Sequence, residues 1–203
     1  MSTIVVVKKN GEVAIAADTQ TTSGGTKLSA GFKTQKEKIL RFEDTYIGFV
    51  GYCAHRDVFE SLMEKRPSDL DFKSRRHIFE TFLKLHPVLK EDFFVNSKEE
   101  DSAYETSQMT IVIANPHGIF DVNSDRNVTE IEAFWAIGSG REYALGAMHQ
   151  AYDTRATARE VAIGGVLAAC EFDPWSGLPY TVYTASLKLG KPAQNVVEEV
   201  ICI

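Results

Sequence analysis

Apolar β-branched residues run unbroken through Ile4-Val5-Val6-Val7, which predicts a buried strand over 4–7. Asn10-Gly11 then supplies a tight hairpin signal, and a second strand over 12–17 ends at Asp18. Small polar residues dominate 19–31 and predict a loop. A second hairpin follows, with arms over 38–42 and 46–50 joined by Glu43-Asp44-Thr45. Helical patterning begins at 57–65 and stops before Pro67. A longer helix is capped by Ser74 and carries Ile78, Phe79, Phe82, Leu83, Leu89 and Phe93 at helical spacing; Pro87 is expected to kink it.

The stretch 97–107 is polar and reads as an exposed loop, with no role arguable for Glu99-Glu100-Asp101. Strands over 109–114 and 118–122 flank an Asn-Pro-His-Gly turn. An apolar strand over 133–137 runs into Gly138-Ser139-Gly140; two helices, 141–152 and 157–170, and a last strand, 180–189, complete the pattern. The tail 190–203 has apolar residues without a clear period and stays unassigned. Hairpins segregated from helix pairs predict an α+β fold of antiparallel sheets with helices stacked outside them. No repeat, low-complexity tract or linker divides 1–203, so a single domain is expected.

Composition narrows the partners. Of 203 residues, 44% are hydrophobic and 25% charged, ordinary values for a soluble globular protein. A net charge of −6 argues against a nucleic-acid or anionic-membrane partner, since both need a basic face. No apolar run approaches the ~20 residues of a membrane span, and the first residues lack the basic lead and apolar core of a signal peptide. Three scattered cysteines, Cys53, Cys170 and Cys202, suit a reducing compartment and form no metal pair. A cytoplasmic location is the expectation.

Candidate chemistry gathers at the start of the chain. Gly138-Ser139-Gly140 lacks the third glycine of a dinucleotide fingerprint, because Arg141-Glu142-Tyr143 follow it, so it reads as a tight strand-to-helix turn. The five histidines, His55, His77, His86, His117 and His149, show no partner pattern. Ser2 is small enough for the initiator methionine to be removed. Removal leaves a hydroxyl beside a free α-amine whose ordinary pKa, about 7.7–8.0, suits a general base; a neighbouring lysine would hold it lower and neutral. Many cytosolic chains begin Met-Ser without using it, so context must decide.

Four blocks supply that context. The run Ser2-Thr3-Ile4-Val5-Val6-Val7-Lys8-Lys9-Asn10-Gly11, continuing through Asp18, resembles the start of proteasome β-type peptidases, above all the bacterial HslV type and small bacterial proteasome homologues. Tyr46-Ile47-Gly48-Phe49-Val50-Gly51 resembles that family's strand leading to its oxyanion glycine. Ala136-Ile137-Gly138-Ser139-Gly140 is similar to its Gly-Ser-Gly turn, and Asp173-Pro174-Trp175-Ser176-Gly177 to its Asp-x-x-Ser-Gly element. Any one block is weak; four in family order, spanning 2 to about 189, are specific.

The resemblance implies the four-layer αββα sandwich of the N-terminal-nucleophile hydrolases. It places Ser2 at the nucleophile position with its own amine as base, and Asp18 as the anchor of a lysine. Lys38 matches that lysine best, since it precedes an aliphatic strand, with Lys36 as the rival. Gly51 would turn its N–H towards the oxyanion, a contribution of about 3 kcal/mol; Ser139, Asp173 and Ser176 would form the supporting hydrogen bonds. The family usually carries threonine where this chain has Ser2. The resemblance further implies peptide or unfolded-protein substrates, a homo-oligomeric ring or double ring, an ATP-dependent unfoldase partner, and no cofactor or metal. Two alternatives stand beside it: a non-catalytic ring or scaffold subunit, and a small-molecule amide hydrolase on the same fold.

Overall fold

A computed structural model describes residues 2–34, 37–98 and 103–188. Its strands are β1 (Thr3–Lys9), β2 (Glu12–Asp18), β3 (Thr21–Ser23), β4 (Thr26–Leu28), β5 (Ile39–Phe42), β6 (Thr45–Val50), β7 (Thr110–Asn115), β8 (Gly118–Val122), β9 (Val128–Ile131), β10 (Phe134–Gly138) and β11 (Tyr180–Ser186). Its α-helices are α1 (Ala54–Lys65), α2 (Arg75–Glu91), α3 (Arg141–Tyr152) and α4 (Ala158–Phe172).

Two antiparallel sheets stack face to face, one ordered β10-β1-β2-β11 and the other β5-β6-β7-β8-β9. Alternation along the strands sends successive side chains into different layers. In β1, Ile4 and Val6 pack between the sheets with Val112 and Ile119, whereas Val5 and Val7 face α3 and α4. On the far side, Ile111, Ile113 and Phe120 meet α1 and α2 through Phe59, Leu62, Ile78 and Phe82. The layers therefore run αββα, as expected. Ile4, Ile15, Ile47 and Phe59 are completely buried, each worth roughly 1.5–3 kcal/mol of hydrophobic stabilisation.

The helix starts have local causes. Ser74 Oγ accepts from His77 N at the head of α2. Thr157 and Glu160 close a capping box on α4, with Glu160 N donating to Thr157 Oγ1 and Thr157 N to Glu160 Oε2. Helix α2 continues past Pro87, and Asp92 N still donates to Val88 O at 2.9 Å. The missing N–H at Pro87 leaves the Leu83 carbonyl without its helical donor, and Leu83 lies on the half-exposed outer face where water can reach it. Phe79 shares that face, so two of the six positions read as one apolar stripe point outward, and Leu85 takes a core place instead.

Sheet register brings the site together. Antiparallel pairing sets Thr3 opposite Gly138, Ile4 opposite Ala17, and Tyr180 opposite Asp18. The beginning of β1, the end of β2 and the end of β10 thus share one edge of the first sheet. Among the described residues no helix is long and apolar enough to cross a membrane. Lys36, Glu99-Glu100-Asp101 and the tail 190–203 lie outside the described residues.

Candidate active site

Asp18 occupies the centre of that edge and is fully buried. Its Oδ1 accepts from Lys38 Nζ at 2.7 Å and from Thr3 N at 2.9 Å. Its Oδ2 accepts from Gln20 N at 2.9 Å and Gly177 N at 3.0 Å. Four donors around one carboxylate meet the requirement that a buried charge be paired and hydrogen-bonded. Lys38 reaches this position from the residue before β5, with its side chain 13% exposed. Burial pulls the Lys38 ammonium below its ordinary pKa, and the Asp18 charge and hydrogen bond oppose that pull.

Asp173, Ser139 and Ser176, three more polar residues of the expected set, belong to one directional chain. Asp173 Oδ2 accepts from Ser139 Oγ and from Ser176 Oγ, each at 2.7 Å. Ser176 has spent its proton on the carboxylate, so the 2.7 Å contact between Thr3 Oγ1 and Ser176 Oγ must have Thr3 as donor. Gly140 N donates to Thr3 Oγ1 at 3.1 Å in turn. Ser139 N meanwhile donates to the Ser2 carbonyl at 2.9 Å. Gly138 makes that approach possible: its φ is +100°, and a β-carbon there would collide with the Ser2 carbonyl oxygen.

The two hydroxyls at the start of the chain therefore differ. Thr3 is fully buried and its hydroxyl is bound on both sides, whereas Ser2 is half-buried and lines a cavity of about 420 Å³. Lys38 and Gly51 line the same cavity, with Thr21, Thr22 and Phe49. Gly51 has φ +147°, which strains any other residue.

Two functional candidates escaped the sequence reading. His55, on the first turn of α1, is 4% exposed; its Nδ1 accepts from Tyr52 N at 3.2 Å and would lie 2.8 Å from a β-carbon at Gly51. The imidazole thus braces the Gly51-Tyr52 turn from behind, and burial holds it below its ordinary pKa, in the neutral form that can accept. Lys33 also lines the cavity and donates to Thr19 O and Thr21 Oγ1, both at 2.8 Å. His55 meets only the Tyr52 backbone N–H and the side-chain-free Gly51, which leave no residue signature, and Lys33 meets residues 12 and 14 positions away.

Two packed antiparallel sheets between helix pairs, with a cavity-lining hydroxyl just before the first strand, a buried Asp–Lys pair and a glycine turn at one sheet edge, match the N-terminal-nucleophile hydrolase class. No family model matches the chain. A solved structure of Thiobacillus denitrificans BPH is 38% identical and superposes with a TM-score of 0.88, over 93% of this chain and 100% of that one. The same protein in complex with epoxomicin is 39% identical, with a TM-score of 0.84 over 92% and 99% of the two chains. The ATP-dependent protease subunit HslV of Roseobacter denitrificans is 28% identical over 190 residues, 91% of this chain and 94% of that protein. The chain belongs to the HslV-like, proteasome β-type family of N-terminal-nucleophile hydrolases.

Proposed function

We propose that this chain is a peptidase whose nucleophile is the Ser2 hydroxyl, released for catalysis when Met1 is removed. One observation carries the choice of residue: Ser2 faces the cavity, while Thr3 is buried with its hydroxyl committed to Ser176 and Gly140. The freed α-amine takes the Ser2 proton as Oγ attacks the substrate carbonyl, and the resulting oxyanion lies against the Gly51 N–H. Collapse of the tetrahedral intermediate breaks the C–N bond, and the α-ammonium returns its proton to the leaving amine. Water, activated by the same amine, then hydrolyses the seryl ester. The Lys38 charge, anchored by Asp18, keeps the amine neutral at working pH. Asp173, Ser139 and Ser176 hold the first residues in register. The hydroxyl chain they form lends this reading its support.

Serine has more χ1 freedom than the threonine usual in the family, so slower turnover is expected, with Ser2→Thr at least as active. The whole of 1–203 acts as one peptidase domain in this reading. The substrates in this reading are extended peptides or unfolded chains, as the named ATP-dependent protease relatives support, and Thr21 and Thr22 line the cavity that would receive them. Membership of a family whose named relatives include ATP-dependent protease subunits supports a cytoplasmic homo-oligomeric ring served by an unfoldase. Hydrolysis of fluorogenic peptides by wild type, Ser2→Thr and Ser2→Ala tests the function. Activity in the first two and none in Ser2→Ala is expected; equal activity in Ser2→Ala would overturn the assignment.

A further inference from the structure

Lys33 is a cavity cation for which the hydrolysis above has no use. It follows a short 3-10 turn, Ala30–Phe32, and reaches back to the segment that lines the cavity. Both of its hydrogen-bond partners, Thr19 O and Thr21 Oγ1, are neutral. The other two cations on the wall have counter-charges: Lys38 meets Asp18 at 2.7 Å and Arg56 meets Glu60 at 2.8 Å. Among the described residues no carboxylate lies within 4.0 Å of the Lys33 ammonium. Two carboxylates share the wall without meeting Lys33: Glu37 accepts from Tyr183 OH at 2.7 Å, and Asp57 is exposed on α1. An ammonium has three donors, and the described residues engage two of them, which leaves one for a ligand. Burial, with Lys38 next, pulls Lys33 below its ordinary pKa, and the Asp18 charge opposes them. A carboxylate on a ligand would supply the close counter-charge that Lys33 lacks among the described residues.

We propose that Lys33 is a specificity-determining residue that pairs with a carboxylate on the substrate, so that peptides carrying Glu or Asp beside the scissile bond are preferred. The inference rests on the peptidase reading of the Ser2 cavity, yet its test does not depend on turnover. Fluorescently labelled peptides that differ only by Glu or Gln at each position flanking the scissile bond are titrated into Ser2→Ala protein at low salt. At one position the Glu peptide binds roughly tenfold more tightly than its Gln counterpart, as a charge-assisted hydrogen bond implies. Adding Lys33→Gln removes that preference and Lys33→Arg retains it. Lys33→Glu turns it towards a Lys-containing peptide.

Equal affinity for the Glu and Gln peptides, no binding of either at millimolar concentration, or a preference that survives Lys33→Gln would each overturn the proposal. If Lys33→Gln does not fold, loss of the Glu preference on adding salt to the Ser2→Ala protein and its retention in Lys33→Arg decide the question, and a salt-insensitive preference counts against Lys33. A Glu preference that depends on Lys33, found together with absent hydrolysis in the wild type, would reject the catalytic reading and leave this one standing.

Discussion

Single side chains at this sheet edge carry charges that cannot be removed one at a time without cost. Asp18→Ala leaves the Lys38 ammonium buried without its counter-charge, and a loss of about 3–5 kcal/mol in urea unfolding is expected. Lys38→Ala is expected to lower kcat by about 10²-fold or more with a much smaller change in KM, because in the proposed mechanism its charge acts on the base and not on substrate binding. Asp121 behaves in the opposite sense. It is 7% exposed on β8, its Oδ1 lacks a partner among the described residues, and burial raises its pKa from 3.8 to about 6. The folded chain therefore holds this proton when the unfolded chain has lost it, and the cost of ionising it grows as pH rises through that interval. Asp121→Asn is expected to match wild type near pH 4 and to be more stable at pH 8, by up to about 3 kcal/mol, in denaturant titrations at both pH values.

Elements place these residues, and the turn between β6 and α1 shows how. Gly51 and Tyr52 turn the chain into α1, and His55 returns from the first helical turn to accept from Tyr52 N. Gly51→Ala forces a β-carbon against His55 Nδ1 and Gln108 O at a φ that only glycine adopts easily. A fall in kcat of about 10²-fold is expected if this N–H meets the oxyanion. Burial depresses the His55 pKa, so its stability contribution is full above about pH 6.5 and is lost as pH falls through the lower folded value. Unfolding at a series of pH values shows this as a slope that His55→Asn removes. The strands were legible where β-branched runs and Asn10-Gly11 made their own signal. Strand β9, with Thr129 and Glu130 exposed, and the β3–β4 hairpin, among Thr, Ser and Gly residues, carried too little apolar pattern to stand out. Helix α1 begins three residues before its expected start, since no side chain caps it. The Asp18–Lys38 pairing was legible only through family resemblance, because 20 residues separate them; Lys33 acts through partners 12 and 14 residues away, and His55 through a backbone N–H that no residue type marks.

At the scale of the whole molecule, the stacked sheets bury the strand that begins at Thr3 while leaving Ser2 at a cavity mouth, so one chain holds the proposed nucleophile, anchor and oxyanion glycine. Light scattering on the purified protein is expected to give several multiples of the 22.6 kDa chain mass, unchanged in Ser2→Ala; a lone 22.6 kDa species would contradict the ring. The most direct test of the central claim is intact and peptide mass spectrometry after incubation with epoxomicin. A chain that begins at Ser2 and carries one inhibitor mapped to that residue is expected, with no adduct on Ser2→Ala. Retained Met1 in an active preparation, or equal labelling of Ser2→Ala, would contradict it.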